Sequence, residues 1–99
     1  MKSTTLYRTV GFTNSTYMDG SPEVGWTGDF CATREQAEES GCGANGMESG
    51  SAVREYTLED HGDEWKVFVD GEIGTSKLHH AVVDAAKKLG LATKEGLCA

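Results

Sequence analysis

Hydrophobic and polar residues alternate over Thr5 to Phe12, with Leu6, Val10 and Phe12 on one side and Thr5, Tyr7 and Thr9 on the other. A period of two predicts a strand. Thr13 to Pro22 is polar and holds Asp19-Gly20 and Ser21-Pro22, which predicts a loop or a wide hairpin connection. Glu23 to Ala32 carries Val24, Trp26 and Phe30 at even spacing, a second strand weakened by Gly25 and Gly28. Further on, Ser51 to Glu59 places Ala52, Tyr56 and Leu58 on one side, and Glu64 to Val69 alternates Trp65, Val67 and Val69 against Lys66 and Phe68. These are a third and a fourth strand, joined at Asp60-His61-Gly62-Asp63. Asp70-Gly71 is a type I′ turn signal, so Glu72-Ile73 is placed as a short fifth strand.

Two segments have helical signatures. Thr33-Arg34-Glu35-Gln36 matches a capping box, in which the threonine hydroxyl accepts from the third amide and the glutamine reaches back. The helix it opens is short, has only Ala37 on its apolar side and stops at Ser40-Gly41. The second begins at Thr75 or Ser76 and places Leu78, Val82, Ala85 and Leu89 along one stripe. Gly90 stops it in a left-handed cap with Leu91 folding back, and Lys87 and Lys88 sit where the helix dipole favours cations. Between them, Gly41 to Gly50 is glycine-rich and predicts a loop. The order ββαββ(β)α makes an α+β domain: one antiparallel sheet of four to five strands with two helices, spanning residues 1–99 as a single domain.

Charge adds a location to this picture. The chain carries a formal net charge of −7. Between Glu48 and Glu72, the acids Glu48, Glu55, Glu59, Asp60, Asp63, Glu64, Asp70 and Glu72 face only Arg54 and Lys66. Beyond Gly74, Lys77, Lys87, Lys88 and Lys94 outnumber Asp84 and Glu95. A field of this sign repels phosphates and anionic lipid and attracts basic surfaces, which argues against direct nucleic-acid binding. No segment approaches the roughly twenty apolar residues of a membrane span, and Met1-Lys2-Ser3-Thr4-Thr5 lacks the apolar core of a signal peptide. Cys31, Cys42 and Cys98 are odd in number and unpaired in spacing. They read as reduced thiols of a cytoplasmic protein, with a Cys31–Cys42 bridge as the alternative. In that compartment the Asn14-Ser15-Thr16 sequon is a chance match.

Candidate chemistry is sparse, and no catalytic residue, metal site or cofactor is assigned from the residues. The Glu59-Asp60-His61-Gly62-Asp63-Glu64 run lacks the alternating carboxylates of a calcium loop and reads as a solvated turn suited to a partner's arginines and lysines. His79 and His80 are neighbours on a helix, about 100° apart, and are poorly placed to share a metal. Cys42 has no histidine or lysine tied to it by spacing. Arg8 and Arg54 interrupt the apolar sides of their strands, between Leu6 and Val10 and between Ala52 and Tyr56. There they need a carboxylate such as Asp29 or Glu55, or a ligand anion, unless a register slip turns both outward.

Two resemblances follow. Leu6-Tyr7-Arg8, Gly28-Asp29-Phe30-Cys31-Ala32-Thr33 leading into Glu35-Gln36-Ala37-Glu38, and Val53-Arg54-Glu55-Tyr56 together resemble the early strands of ADP-ribosyltransferase-like domains. That likeness implies a small or degenerate enzyme holding a nicotinamide dinucleotide through Arg8 and Thr33, with Arg54 nearby and Glu72 as the only counterpart of the family's later glutamate. In size, acidity and glycine content the chain is similar to phage-encoded inhibitors of bacterial defence, the anti-CRISPR type. This likeness implies a non-enzymatic viral protein acting in the host cytoplasm by covering a basic nucleic-acid-binding surface of a partner complex. The contact residues implied are Glu55, Glu59, Asp60, Asp63, Glu64, Asp70 and Glu72, with Trp26 or Phe68 as apolar anchor. This second reading is the one the sequence favours.

Overall fold

A computed structural model describes residues 2–40, 50–93 and 96–97. The predicted Gly41–Gly50 loop therefore lies almost wholly outside the described residues, as do Cys42 and Cys98. The elements run β1 (Lys2–Thr16), β2 (Pro22–Thr27), α1 (Arg34–Ser40), β3 (Ser51–Asp60), β4 (Trp65–Val69), β5 (Glu72–Ile73), α2 (Ser76–Lys88), β6 (Ala92–Thr93) and β7 (Gly96–Leu97). The fold is α+β: an antiparallel five-stranded sheet in the order β2-β1-β3-β4-β5, two helices, and a separate two-stranded sheet of β6 and β7. The chain resolves into two compact units, one of Tyr7–Arg54 and one of Met1–Leu6 with Glu55–Ala99.

The Tyr7–Arg54 unit is built on the β1–β2 hairpin. The pairing runs Val10↔Thr27, Gly11↔Trp26, Phe12↔Val24 and Thr16↔Pro22, so the register skips Gly25 and shifts again before Thr16. The tip is closed by Tyr17 N–H to Ser21 O (2.8 Å) and Gly20 N–H to Tyr17 O (2.9 Å). Past Thr27 the second strand continues only as the bond from Gly28 N–H to Thr9 O (2.9 Å) and a bridge between Cys31 and Tyr7. The expected strand to Ala32 is thus cut short at Gly28, whose missing side chain leaves room for the Trp26 ring: a Cβ there would lie 3.1 Å from it. Helix α1 then starts as the capping signal predicts, with Thr33 Oγ1 accepting from Gln36 N–H at 3.2 Å. Ala37 is wholly buried, and the buried Thr9 hydroxyl donates to its carbonyl at 2.7 Å.

The other unit has the larger core: Leu6, Tyr56, Leu58, Val67, Val82, Ala86, Ala92 and Leu97 are all buried. Its β3–β4 hairpin pairs Tyr56↔Val69, Leu58↔Val67 and Asp60↔Trp65, which aligns the predicted apolar sides of both strands. Asp70 (φ 49°) and Gly71 (φ 91°) both lie in the left-handed region, as a type I′ turn requires, and β5 follows. Helix α2 is capped by Thr75 rather than Ser76, through Leu78 N–H to Thr75 Oγ1 at 3.3 Å. Its buried positions are Val82 and Ala86, whereas Leu89, expected on the apolar stripe, is 39% exposed at the C-cap. Gly90 (φ 75°) ends the helix, with Leu91 N–H reaching Ala86 O and Gly90 N–H reaching Lys87 O, the two bonds of a Schellman motif.

Candidate protein-docking surface

The β3–β4–β5 register assigns each hairpin side chain to a face. Tyr56, Leu58 and Val67 point into the core; one residue out of phase, Glu55, Thr57 and Glu59 share the opposite face with Lys66, Phe68 and Ile73. Ile73 is the apolar feature of this face that sequence reasoning missed, at 74% exposure directly across from half-buried Phe68. A large aliphatic residue on a two-residue edge strand was legible only as a short strand, because nothing in Glu72-Ile73 says which side faces water.

The acids expected at the surface are distributed as follows. Glu55 and Glu59 lie on the Phe68–Ile73 face, whereas Asp60, paired with Trp65, and Glu72, paired with Val69, lie on the core-facing side. Asp63 and Glu64 are exposed at one turn and Asp70 at the other. Strand alternation therefore wraps negative charge around the hairpin instead of gathering it on one plane.

Some of these carboxylates have structural roles. Asp60 Oδ1 accepts from Gly62 N–H at 2.8 Å, shaping the β3–β4 turn, and Asp70 Oδ1 accepts from Glu55 N–H at 3.0 Å. Glu59 Oε1 lies 2.9 Å from His61 Nε2. Asp63, Glu64 and Glu72 form no side-chain bond among the described residues.

Trp26 is half-buried on the β1–β2 hairpin, in the Tyr7–Arg54 unit, whereas Phe68 lies among the hairpin acids. Of the two anchors that the sequence suggests, Phe68 is the one the register places with them.

The alternative ligand residues Arg8, Thr33 and Arg54 all belong to the Tyr7–Arg54 unit. Arg8 lies over the Phe30 ring (4.4 Å to its centroid) and Arg54 over Phe12 (5.6 Å), so aromatic faces supply part of the stabilisation that these cations were expected to need. A third guanidinium, that of Arg34, lies 5.4 Å from the Tyr7 centroid. Tyr7 and Thr9 point to the side of β1 that α1 covers, through Arg34 and Ala37. Arg8, between them in sequence, points to the other side. Thr33 caps α1, so Arg8 and the start of that helix are not brought to one face. Cys31 Sγ sits 3.5 Å from Asp29 O and 3.5 Å from Ser40 Oγ.

His79 and His80 meet edge to face, with ring centroids 5.7 Å apart. They line an open groove of about 440 Å³ together with Glu64, Trp65, Lys66, Val67 and Ile73 to Ser76. Among the described residues no three His, Cys, Asp or Glu side chains gather as a metal site, and no helix is long and apolar enough to cross a membrane. At the β1–β2 tip, the Ser21 hydroxyl and then its amide donate to Asp19 and hold its carboxyl below the usual aspartate range.

The fold thus defines a small α+β protein whose β3–β4 hairpin carries acids on both faces and at both turns, with exposed Ile73 across from Phe68. Comparison with protein families, with curated proteins and with solved structures finds no match for this chain.

Proposed function

We propose that this protein is a non-enzymatic binding module whose β3–β4 hairpin docks on a basic surface of a partner, in the manner of an anti-CRISPR inhibitor covering the nucleic-acid-binding channel of its target in the host cytoplasm. The observation that carries this reading is the pairing of Phe68 with exposed Ile73 on a sheet face flanked by Glu55 and Glu59 and bordered by the Asp63–Glu64 and Asp70 turns. An apolar centre around which acids outnumber the one lysine of the face, Lys66, suits a cationic partner. The acids steer the encounter and compete with phosphate, and burial of the aliphatic and aromatic side chains holds the complex.

Charge reversal tests it. Asp63, Glu64 and Glu72 are exposed and make no side-chain bond among the described residues, so D63K/E64K/E72K alters the field without removing a structural contact. Partners captured from bacterial lysate at low salt by the wild-type chain are expected to be held at least about tenfold less by the triple variant, and by the wild type at high salt. Equal capture by the triple variant contradicts the proposal.

A further inference from the structure

The same hairpin leaves an edge open where β5 ends. His61 N–H donates to Glu64 O and Asp70 N–H donates to Glu55 O, each at 2.9 Å. In an antiparallel pair these bonds fix the phase: Glu64, Lys66 and Phe68 turn their main chain toward β3, and Trp65 and Val67 turn theirs away. On that outer side β5 pairs only with Phe68 and Val69, and Gly74 N–H then takes Val67 O at 2.8 Å. One pairing step further the chain has already entered α2 at Ser76, capped by Thr75. The N–H and C=O of Trp65 therefore face the groove that separates β4 from the first turns of α2, and among the described residues no strand follows β5 along them.

We propose that this groove receives an extended peptide segment as an added strand, hydrogen-bonded to the main chain of Trp65. A backbone donor and acceptor one residue wide, in line with an existing short strand, is the chemistry that recognises a peptide main chain. The groove is lined by half-buried Trp65 and exposed Ile73, which suit an aliphatic side chain, and by Ser76, His79 and His80, which suit a hydroxyl. Lys66 and Glu64 stand on its wall with opposite charge, so the fitting segment is neutral and β-branched, of the type Thr-Val-Thr. Its side chains enter a space of about 440 Å³. This site shares Ile73 and Glu64 with the face proposed above but calls for a neutral extended segment, and it is read out at the Trp65 main chain and not by salt-sensitive capture.

The test uses the full chain and the peptide acetyl-Thr-Val-Thr-Val-Thr-amide, followed by amide hydrogen exchange and backbone chemical shifts. In the free protein the Trp65 amide is expected to exchange fast and the Lys66 amide, directed at Glu59, to be protected. Saturating peptide is expected to slow Trp65 exchange at least about tenfold and to shift the His79 and His80 signals. Methylating the peptide's backbone nitrogens is expected to abolish the effect, and I73S, at an exposed position, to weaken binding about threefold. Three results would overturn the proposal. They are Trp65 exchange unchanged at about 5 mM peptide, binding that survives backbone methylation, and Trp65 protection that rises with protein concentration alone, which assigns the edge to a second copy of the chain.

Discussion

The hydroxyl of Thr9, on β1, donates to the main-chain carbonyl of Ala37, in α1, at 2.7 Å, and both residues are buried. This bond ties a seven-residue helix to its strand where the helix has a single buried apolar side chain. Without the Thr9 hydroxyl the Ala37 carbonyl keeps the longer bond from the Ser40 hydroxyl at 3.4 Å, so T9V is expected to lower stability by about 1 kcal/mol despite its matching shape. T9S, which keeps the hydroxyl, is expected to lose less. Urea denaturation of the three proteins decides it, and equal midpoints for T9V and wild type would contradict the assignment.

Helix α2 ends at Gly90 with φ 75°, where a Cβ meets no neighbour but the backbone is strained for any L side chain. G90A is expected to cost about 1 kcal/mol while leaving the helix formed. The check is a lower thermal midpoint with unchanged helical circular dichroism at low temperature.

Asp19 supplies the pH prediction. Its carboxyl is held below the usual aspartate range by the Ser21 hydroxyl and amide. A depressed folded-state value means that the tip contact is fully present above the unfolded value and is lost as pH falls through the lower, folded one. Carbon-detected NMR titration is expected to give Asp19 a midpoint below that of an ordinary aspartate, and S21A to raise it. A midpoint insensitive to S21A would assign the effect elsewhere.

Thr33 separates a structural from a catalytic role. Its hydroxyl caps α1, so T33A is expected to cost about 0.5–2 kcal/mol by denaturation, and T33S to restore most of it. Because Arg8 and the α1 start lie on opposite sides of β1, calorimetry with a nicotinamide dinucleotide is expected to show no saturable heat. Saturable heat lost in R8A would support the transferase resemblance instead.

How far the fold could be read from the chain depended on how much each segment has to bury. The β3–β4 hairpin and α2 were legible because Tyr56, Leu58 and Val67 repeat at two and Val82 carries the helical stripe, and Asp70-Gly71 and Gly90 mark the ends. The reach of β1 to Thr16 was not legible: Asn14, Ser15 and Thr16 are exposed, so no buried apolar side chain marks the end of that ribbon. β6 and β7 are two residues each, too short to show alternation, although Ala92 and Leu97 are buried. In the candidate surface, the acids were legible as a cluster in sequence. Their division between two faces and two turns, and the prominence of Ile73, depend on register, which only the folded pairing fixes.

The proposed function has the β3–β4 hairpin occupy a surface that its partner otherwise offers to nucleic acid. The most direct measurement is competition: the isolated partner complex is saturated with this protein and titrated with the nucleic acid it binds. Mutual displacement is expected, with D63K/E64K/E72K displaced at lower nucleic-acid concentration than wild type. A stable ternary complex holding both would contradict the account.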